Sequence, residues 1–209
     1  MPRDRREKLI LDVAGHAFAR AGYDSAAMDE IAELAGVSKP MLYAYFGSKQ
    51  GLYLAYIERA GGELLERLES AQPRDERPAS VLRARIDEFL FFVEEHGDGW
   101  KVLFRELGST RPFSDRVAQL RERIAGTIRR MIESGVVSCS GYPPSAADAI
   151  AHALVGAGES LANWWLDHPE VPRDQVAAWY FGVVQAVVAG SSDQDGGALV
   201  EQVLESDHG

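Results

Sequence analysis

The sequence has one cysteine, no long apolar run and no excess of positive charge. Because Cys139 is the single thiol in 209 residues, no internal disulfide can form, and nothing requires an oxidising compartment. No stretch reaches the roughly 18 uninterrupted apolar residues of a membrane span, and no apolar run of signal-peptide length follows the basic start at residues 1–6. We therefore expect a soluble, cytoplasmic protein without a membrane partner.

The motifs of common enzyme classes are also missing. The sequence has no Gly-x-Ser-x-Gly nucleophile motif and no Gly-x-x-x-x-Gly-Lys phosphate-binding loop. Its five histidines are scattered rather than placed at metal-ligand spacing. The glycines at 156 and 158 lack the third glycine and the preceding strand of a dinucleotide-binding fingerprint. We expect neither an enzyme nor a bound cofactor or metal ion.

The composition is that of a soluble globular chain, with 46% hydrophobic and 26% charged residues. The net charge of -10, taken over the whole chain, argues against a nucleic-acid partner. The charge is uneven, however, because residues 1–50 carry seven basic and seven acidic groups and the rest of the chain holds all of the net negative charge. Charge alone leaves two interpretations open: a head that faces a polyanion on an acidic body, or an ordinary fluctuation in surface charge.

Apolar residues recur at helical spacing along the whole chain, and no segment shows the alternation of a strand. We therefore expect an all-α fold of about nine helices. The expected segments are 5–21, 28–35, 39–46, 49–68, 81–93, 100–107, 113–132, 146–168 and 173–189. Gly97 and Gly99 are expected to bound the fifth helix, Ser145 to cap the eighth, and the polar stretch 71–78 to form a linker.

Two short expected helices, 28–35 and 39–46, are joined by a tight turn at Gly36. Ser38 is a suitable N-cap for the second of them, and Ser48 caps the next helix after Gly47. This arrangement is typical of a helix-turn-helix, although a helical hairpin in a protein core has the same spacing. The second short helix has three aromatic rings and few other large apolar groups, so some ring must face solvent or a partner. That excess favours the helix-turn-helix.

The motifs at residues 22–23, 28–38, 42–46 and 47–49 are specific enough to compare with a family. Over residues 5–57 the chain resembles the DNA-binding domain of the tetracycline-repressor (TetR) family. The resemblance implies a bacterial homodimeric repressor that binds a palindromic operator in double-stranded DNA and is released by a small-molecule effector. It implies a DNA-binding domain at 1–50, joined by the long fourth helix to a ligand-binding and dimerisation domain at 51–190, with a C-terminal tail at 191–209.

The resemblance also implies which residues contact DNA. Those expected near base edges are Lys39, Pro40, Met41, Tyr43 and Ala44. Those expected near phosphates are Ser38, Tyr45, Ser48 and Lys49. Lysine can donate to guanine O6 and N7, and a small apolar side chain can meet a thymine methyl group. The basic residues at 3–6 form an expected N-terminal arm, either reaching DNA or remaining disordered.

One departure from the family pattern concerns the start of the second helix. Many members have Thr or Ser where this chain has Ala26 and Ala27, and alanine can neither cap the helix nor contact a phosphate. Losing a cap typically costs ~1 kcal/mol, and Ser25 is the nearest substitute. An alternative function therefore stays open: a ligand-binding or scaffold dimer whose head no longer binds DNA.

The eighth and ninth expected helices are rich in small residues, which let helices approach closely. Apolar residues cover more of the ninth helix than one core stripe requires, so we expect a dimer interface there rather than two central helices of a monomer. The expected interface residues are Ala153, Gly158, Leu161, Tyr180, Val183 and Val187.

Aromatic residues concentrate in the fifth and sixth expected helices, and most of them are expected to be ordinary core. The alternative is a ligand pocket walled by the fifth to eighth helices, which would be large and apolar with few polar groups. The expected ligand-binding residues are Phe89, Phe92, Trp100, Phe104, His152, Glu159 and Asn163. The acidic body favours neutral or cationic apolar effectors over anions. A shift of the sixth helix is expected to reach the DNA-binding head through the long fourth helix.

Overall fold

A computed structural model describes residues 2–105, 113–134 and 144–189, and every regular element within these ranges is a helix. The α-helices are α1 (Arg3–Ser25), α2 (Met28–Leu34), α3 (Lys39–Phe46), α4 (Lys49–Ser70), α5 (Pro78–Glu95), α6 (Gly97–Trp100), α7 (Phe113–Glu133), α8 (Pro144–Leu166) and α9 (Arg173–Ala189). A short π-helical segment, Lys101–Arg105, follows α6 directly. The all-α prediction is confirmed, and none of these described helices is both long and apolar enough to cross a membrane.

The predicted signals around α3 are confirmed. The Ser38 hydroxyl accepts a hydrogen bond from the Met41 backbone N–H at 3.3 Å, so it caps the helix. Gly47 ends α3 with a φ of 72°, a left-handed conformation that glycine adopts without strain. The Ser48 hydroxyl then accepts from the Gly51 N–H at 2.9 Å at the start of α4.

Three predicted boundaries are wrong. α1 begins at Arg3, so the expected basic arm is the first turn of a helix, and it continues past a kink at Gly22 (φ 75°) to Ser25. The sixth helix begins at Gly97, so Gly97 and Gly99 lie inside it, and its expected end at Leu107 lies outside the described residues. α8 starts at Pro144, which leaves Ser145 inside the helix rather than at its N-cap. The expected tail, 191–209, also lies outside the described residues.

The described residues divide into two compact units. The first contains residues up to Arg67 together with those between Phe91 and Arg121, and the second contains Leu68–Leu90 together with those from Glu122 onward. These compact units do not coincide with the two functional domains expected on either side of residue 50. That functional division stays a proposal. α4, α5 and α7 each contribute to both units.

An aromatic cluster forms part of the core of the first unit. The Tyr53 ring lies 4.7 Å from Phe18, 4.9 Å from Tyr23 and 4.7 Å from Phe113, each in an edge-to-face arrangement. Edge-to-face aromatic pairs stabilise the fold by more than the burial of their apolar area alone would give. The cluster therefore holds α1, α4 and the start of α7 together.

Tyr56 on α4 lies between two glycines from other helices of the first unit. A Cβ added at Gly15 of α1 would lie 2.3 Å from Cε2 of the Tyr56 ring, and one added at Gly99 of α6 would lie 2.5 Å from its hydroxyl oxygen. α6 and the π-helical segment also pack directly against α1. Three helices thus meet at a distance that only glycine permits. We call Gly15, Tyr56 and Gly99 the tyrosine wedge.

In the second unit, α8 packs against α9 through another tyrosine. The Tyr180 hydroxyl donates a hydrogen bond of 2.7 Å to the Leu154 carbonyl, and a Cβ added at Gly158 would lie 2.9 Å from that hydroxyl. The Trp165 indole N–H donates to the Val171 carbonyl at 2.8 Å in the connection between the helices. These contacts determine which faces of α8 and α9 remain outside.

Candidate nucleic-acid interface

Helix α3, the expected recognition helix, is anchored by one side chain and exposes most of the others. Leu42 is completely buried, whereas Tyr43 is 40% exposed. Of the residues expected to contact DNA, six are exposed, namely Ser38, Lys39, Pro40, Tyr43, Ala44 and Ser48. Three are half-buried, namely Met41, Tyr45 and Lys49. The expected outward-facing ring is therefore present, and the assignment of each residue to a base or a phosphate stays a prediction.

Lys39 carries its charge at the start of α3 beside a carboxylate from α2. Its Nζ donates a hydrogen bond of 2.9 Å to Asp29 Oδ2, and both side chains are exposed. The hydrogen bond and the charge of Asp29 raise the pKa of Lys39 above its ordinary value. Because an ammonium has three donors, this pair leaves N–H groups for a base edge while limiting how Lys39 is oriented.

Lys49 has a structural contact that the sequence did not predict. Its Nζ donates to the Asp24 carbonyl oxygen at 2.8 Å and lies 5.0 Å from the centre of the Tyr23 ring. This contact ties the start of α4 to the end of α1, just beyond the kink at Gly22. A phosphate at this position would share the ammonium with that contact.

The first turn of α1 lies beside the last turn of α3. The Arg3 guanidinium lies 5.4 Å from the centre of the Tyr45 ring, a distance at which cation and ring attract each other. Arg3 was expected to belong to an arm outside the fold. It instead brings positive charge to the last turn of α3.

The alanines before α2 have different surroundings. Ala27 is the N-cap residue of α2 and provides no side-chain hydrogen bond, so Ser25 does not replace the missing cap. Ala26 is buried, where a hydroxyl would need a partner inside the head. Asp29 and Glu30 lie in the first turn of α2 and offset part of the missing cap through the helix dipole.

The expected ligand-binding residues fall into both compact units. In the first, Phe92 and Trp100 are buried, and the Trp100 ring lies 4.3 Å from Phe104. In the second, the Phe89 ring lies 6.1 Å from Tyr180. The other three in the second unit lie on α8, with the exposed His152 3.5 Å from Glu122 and the half-buried Glu159 and Asn163 one turn apart. No group of three His, Cys, Asp or Glu side chains in the described ranges could hold a metal ion.

The expected dimer residues divide into two sets. Gly158 and Tyr180 are buried in the packing of α8 on α9, and Leu161 is half-buried. Ala153, Val183 and Val187 are exposed. An arginine at Gly158 would disrupt the fold of one subunit, so the exposed set is the suitable one for testing an interface.

Two family models match separate parts of the chain. The family model described as "Bacterial regulatory proteins, tetR family" matches residues 10–56, and "Tetracyclin repressor-like, C-terminal domain" matches residues 78–189. The HTH-type transcriptional activator FasR of Mycolicibacterium smegmatis is 33% identical over 193 residues, which cover 92% of this chain and 85% of that protein.

Solved structures of regulators from the same family are also similar to this chain. A TetR-like transcriptional regulator from Rhodococcus sp. RHA1 is 34% identical with a TM-score of 0.74, covering 91% of this chain and 99% of that one. A tetR-family regulator from Streptomyces coelicolor is 29% identical with a TM-score of 0.73, covering 98% and 90%. The fatty acid degradation regulator FadR from Bacillus halodurans has a TM-score of 0.74 at 16% identity, with coverage of 88% and 98%, which is a likeness of fold alone.

Single alanine substitutions at Lys39 and Lys49 test the expected base contact of the first and phosphate contact of the second. Lys39→Ala should cost about 1–3 kcal/mol on the operator and little on a scrambled duplex, because it removes a base contact. Lys49→Ala should weaken both duplexes alike and reduce the salt dependence by the equivalent of about one phosphate. Fluorescence titrations at several salt concentrations measure both. If both variants lose affinity uniformly, Lys39 does not read a base.

Proposed function

The chain belongs to the TetR family of bacterial transcriptional regulators, and from that membership we propose that it binds a palindromic operator as a homodimer, represses transcription and is released by a small-molecule effector. The observation that carries the proposal is the geometry of α3. Leu42 anchors this helix, while its capped N-terminus and the side opposite Leu42 stay exposed. Such a helix fits the major groove, with the paired half-sites about 34–36 Å apart. A regulator of this kind works in the bacterial cytoplasm, where the chromosome is.

A second candidate is activation, since the FasR relative is named a transcriptional activator. Both candidates require DNA binding, and they differ in what the bound dimer does at the promoter. A dimer whose operator overlaps the promoter excludes RNA polymerase and represses, whereas one bound upstream can assist it. We propose repression, and the test is whether the bound protein lowers or raises transcription.

The test combines a mobility shift with transcription in vitro. The protein should shift DNA taken from upstream of its own gene, with an affinity that falls as salt rises. Adding it to purified RNA polymerase should lower the amount of transcript from that promoter. A rise in transcript would favour activation. The absence of any salt-dependent shift would favour the alternative of a scaffold dimer with a head that no longer binds DNA.

The exposed apolar surface of α8 and α9 supports the homodimer. On α8 it follows helical spacing through Ala153, Gly156 and Trp164, with the small polar Ser160 among them. On α9 it comprises Ala178, Trp179, Gly182, Val183, Ala186 and Val187, together with the polar Gln175. Trp179 is 46% exposed and its ring lies 6.2 Å from that of Trp164, which connects the two stripes. We call this surface the outer face; contiguous apolar area of this kind marks interaction sites, and small residues allow close helix approach.

A charge placed on the outer face should separate the subunits. Ala186→Arg would bury an unpaired guanidinium in the interface, so we expect the dimer dissociation constant to rise about 100-fold or more. Ala186→Ser keeps the small size and should remain dimeric. Sedimentation velocity distinguishes the two. An Arg variant that stays dimeric at the concentration of the wild type would move the interface elsewhere.

The packing of α6 supports a route from effector to DNA. Trp100 and Phe104, both expected to contact the effector, lie in α6 and the π-helical segment, and these elements pack against α1. His16 Nδ1 of α1 lies 3.3 Å from Asp98 Oδ2 of α6, beside the tyrosine wedge. A displaced α6 would therefore act on α1 directly as well as on α4. Coupling of about 1–3 kcal/mol would lower operator affinity roughly 5- to 150-fold.

The tyrosine wedge can be tested by a rescue. Gly99→Ala should lower operator affinity, because the new methyl group would meet the Tyr56 hydroxyl at 2.5 Å, whereas the next atoms, His96 Cβ and Tyr56 Cζ, lie at 3.6 and 3.7 Å. Tyr56→Phe removes that hydroxyl and should restore binding in the double variant. Operator titrations of the single and double variants measure the effect.

Gly15→Ala is the matched control for the rescue. Its methyl group would meet the ring carbon Cε2 at 2.3 Å rather than the hydroxyl alone, so Tyr56→Phe should not restore it. Wild-type operator affinity of Gly99→Ala, or equal rescue of both glycine variants, would contradict a specific role of the wedge.

A further inference from the structure

Tyr23 lies where the start of α7 meets the end of α1. The centre of its ring lies 4.7 Å from that of Phe113, the first residue of α7, and 4.9 Å from that of Tyr53 on α4. Both neighbours contact it edge to face. Phe113 is 3% exposed and Tyr53 is completely buried, whereas Tyr23 is half-buried. Two buried rings therefore hold the Tyr23 ring in place from inside the first unit.

The same ring carries the ammonium group of Lys49. Lys49 Nζ lies 5.0 Å from the centre of the Tyr23 ring, a distance at which cation and ring attract each other. It also donates a hydrogen bond of 2.8 Å to the carbonyl oxygen of Asp24. Two consecutive residues of α1 thus hold one ammonium. Because an ammonium has three N–H donors, donors remain for a phosphate oxygen after the bond to Asp24.

Phe113 comes from a distant part of the sequence. It lies 64 positions after Lys49, in the domain at 51–190 that is expected to bind the effector and to dimerise. The compact unit that contains α1, α2 and α3 nevertheless includes it. A ring from outside the expected DNA-binding domain thus completes the packing behind a residue that is expected to contact DNA.

We propose that Phe113 is a positioning residue for DNA binding, which holds the Lys49 ammonium, through the Tyr23 ring, where it meets a phosphate of the DNA backbone. The inference rests on the proposed function, since it requires Lys49 to contact a phosphate. Phe113 is buried and acts through Tyr23 rather than on DNA. A lysine side chain that is ordered before DNA arrives spares part of the entropy that binding would otherwise cost. Loss of the Phe113 ring frees Tyr23 and, with it, the ammonium.

A double-mutant cycle tests this positioning role in the full-length protein. Phe113→Leu keeps apolar bulk but removes the ring. It should lower affinity for a duplex from upstream of the chain's own gene about 5- to 20-fold, because both half-sites lose an ordered lysine. In the Lys49→Ala background the same substitution should change affinity by less than about twofold, since the side chain that Phe113 positions is no longer there.

Leu120→Ala is the matched control. Leu120 is also a buried residue of α7, and its Cδ2 lies 2.8 Å from a Cβ placed at Gly61 of α4. At 1.5 Å per residue, that contact is about 18 Å along α4 from Lys49. Any loss of affinity in Leu120→Ala should therefore be the same with and without Lys49→Ala.

Substitutions at Tyr23 test the link between the two residues. Tyr23→Leu removes the ring and should lower affinity as Phe113→Leu does, again without further effect in the Lys49→Ala background. The conservative Tyr23→Phe keeps the ring and should recover the affinity. Circular dichroism and thermal unfolding establish that each variant is folded, and the Tyr23 pair gives the decisive comparison if Phe113→Leu is not.

The free protein gives an independent readout. Protons close to the face of an aromatic ring resonate upfield, so the Lys49 Cε protons report on the contact with Tyr23. Their NMR signal should lie upfield of an ordinary lysine signal in the wild type and in Leu120→Ala. It should return to the ordinary position in Phe113→Leu.

Two results would overturn the proposal. If the losses caused by Phe113→Leu and Lys49→Ala simply multiply, Phe113 acts on the fold and not on the lysine. If the Lys49 signal stays upfield in Phe113→Leu, Tyr53 holds the Tyr23 ring without help from α7. A chain that binds no duplex contradicts the proposed regulator whatever the spectra show, whereas multiplying losses in a chain that binds DNA contradict only the role of Phe113.

Discussion

Tyr56 lies between Gly15 and Gly99, and its ring leaves no room for a side chain at either position. Arg59, one turn later on α4, donates to the Lys8 carbonyl at 3.1 Å and pairs with Asp12 at 2.7 Å. α4 is thereby attached to α1 by a close packing contact and by charge. Because α6 enters the same contact through Gly99, the DNA-binding head and α6 belong to one packed unit. Interiors packed this densely transmit displacement rather than absorb it.

The charges that matter for binding are local and run against the net charge of the chain. Lys39 is held by Asp29, which reduces the positive charge offered to any phosphate and favours a partner that supplies directed acceptors.

Local signals were predicted well from the sequence, and contacts between distant residues were not. Ser38, Gly47 and Ser48 act within one turn of their own position, so the bounds of α3 could be derived from the sequence. Gly99 was interpreted as a helix breaker, although its role is to admit the hydroxyl of Tyr56, 43 positions earlier. Gly158 looked like a dimer residue because a small side chain gives the same pattern against its own subunit as against a partner.

If α6 is packed into the same unit as the DNA-binding head, the two should respond together when DNA binds. Amide hydrogen exchange of the wild-type dimer, with and without operator DNA, measures this directly. We predict slower exchange in α3 and, in the same experiment, slower exchange of the amides in Gly97–Trp100 and in the part of α1 that faces them. Protection of α1, α2 and α3 with unchanged exchange in Gly97–Trp100 would contradict it, because the head would then bind DNA independently of the wedge.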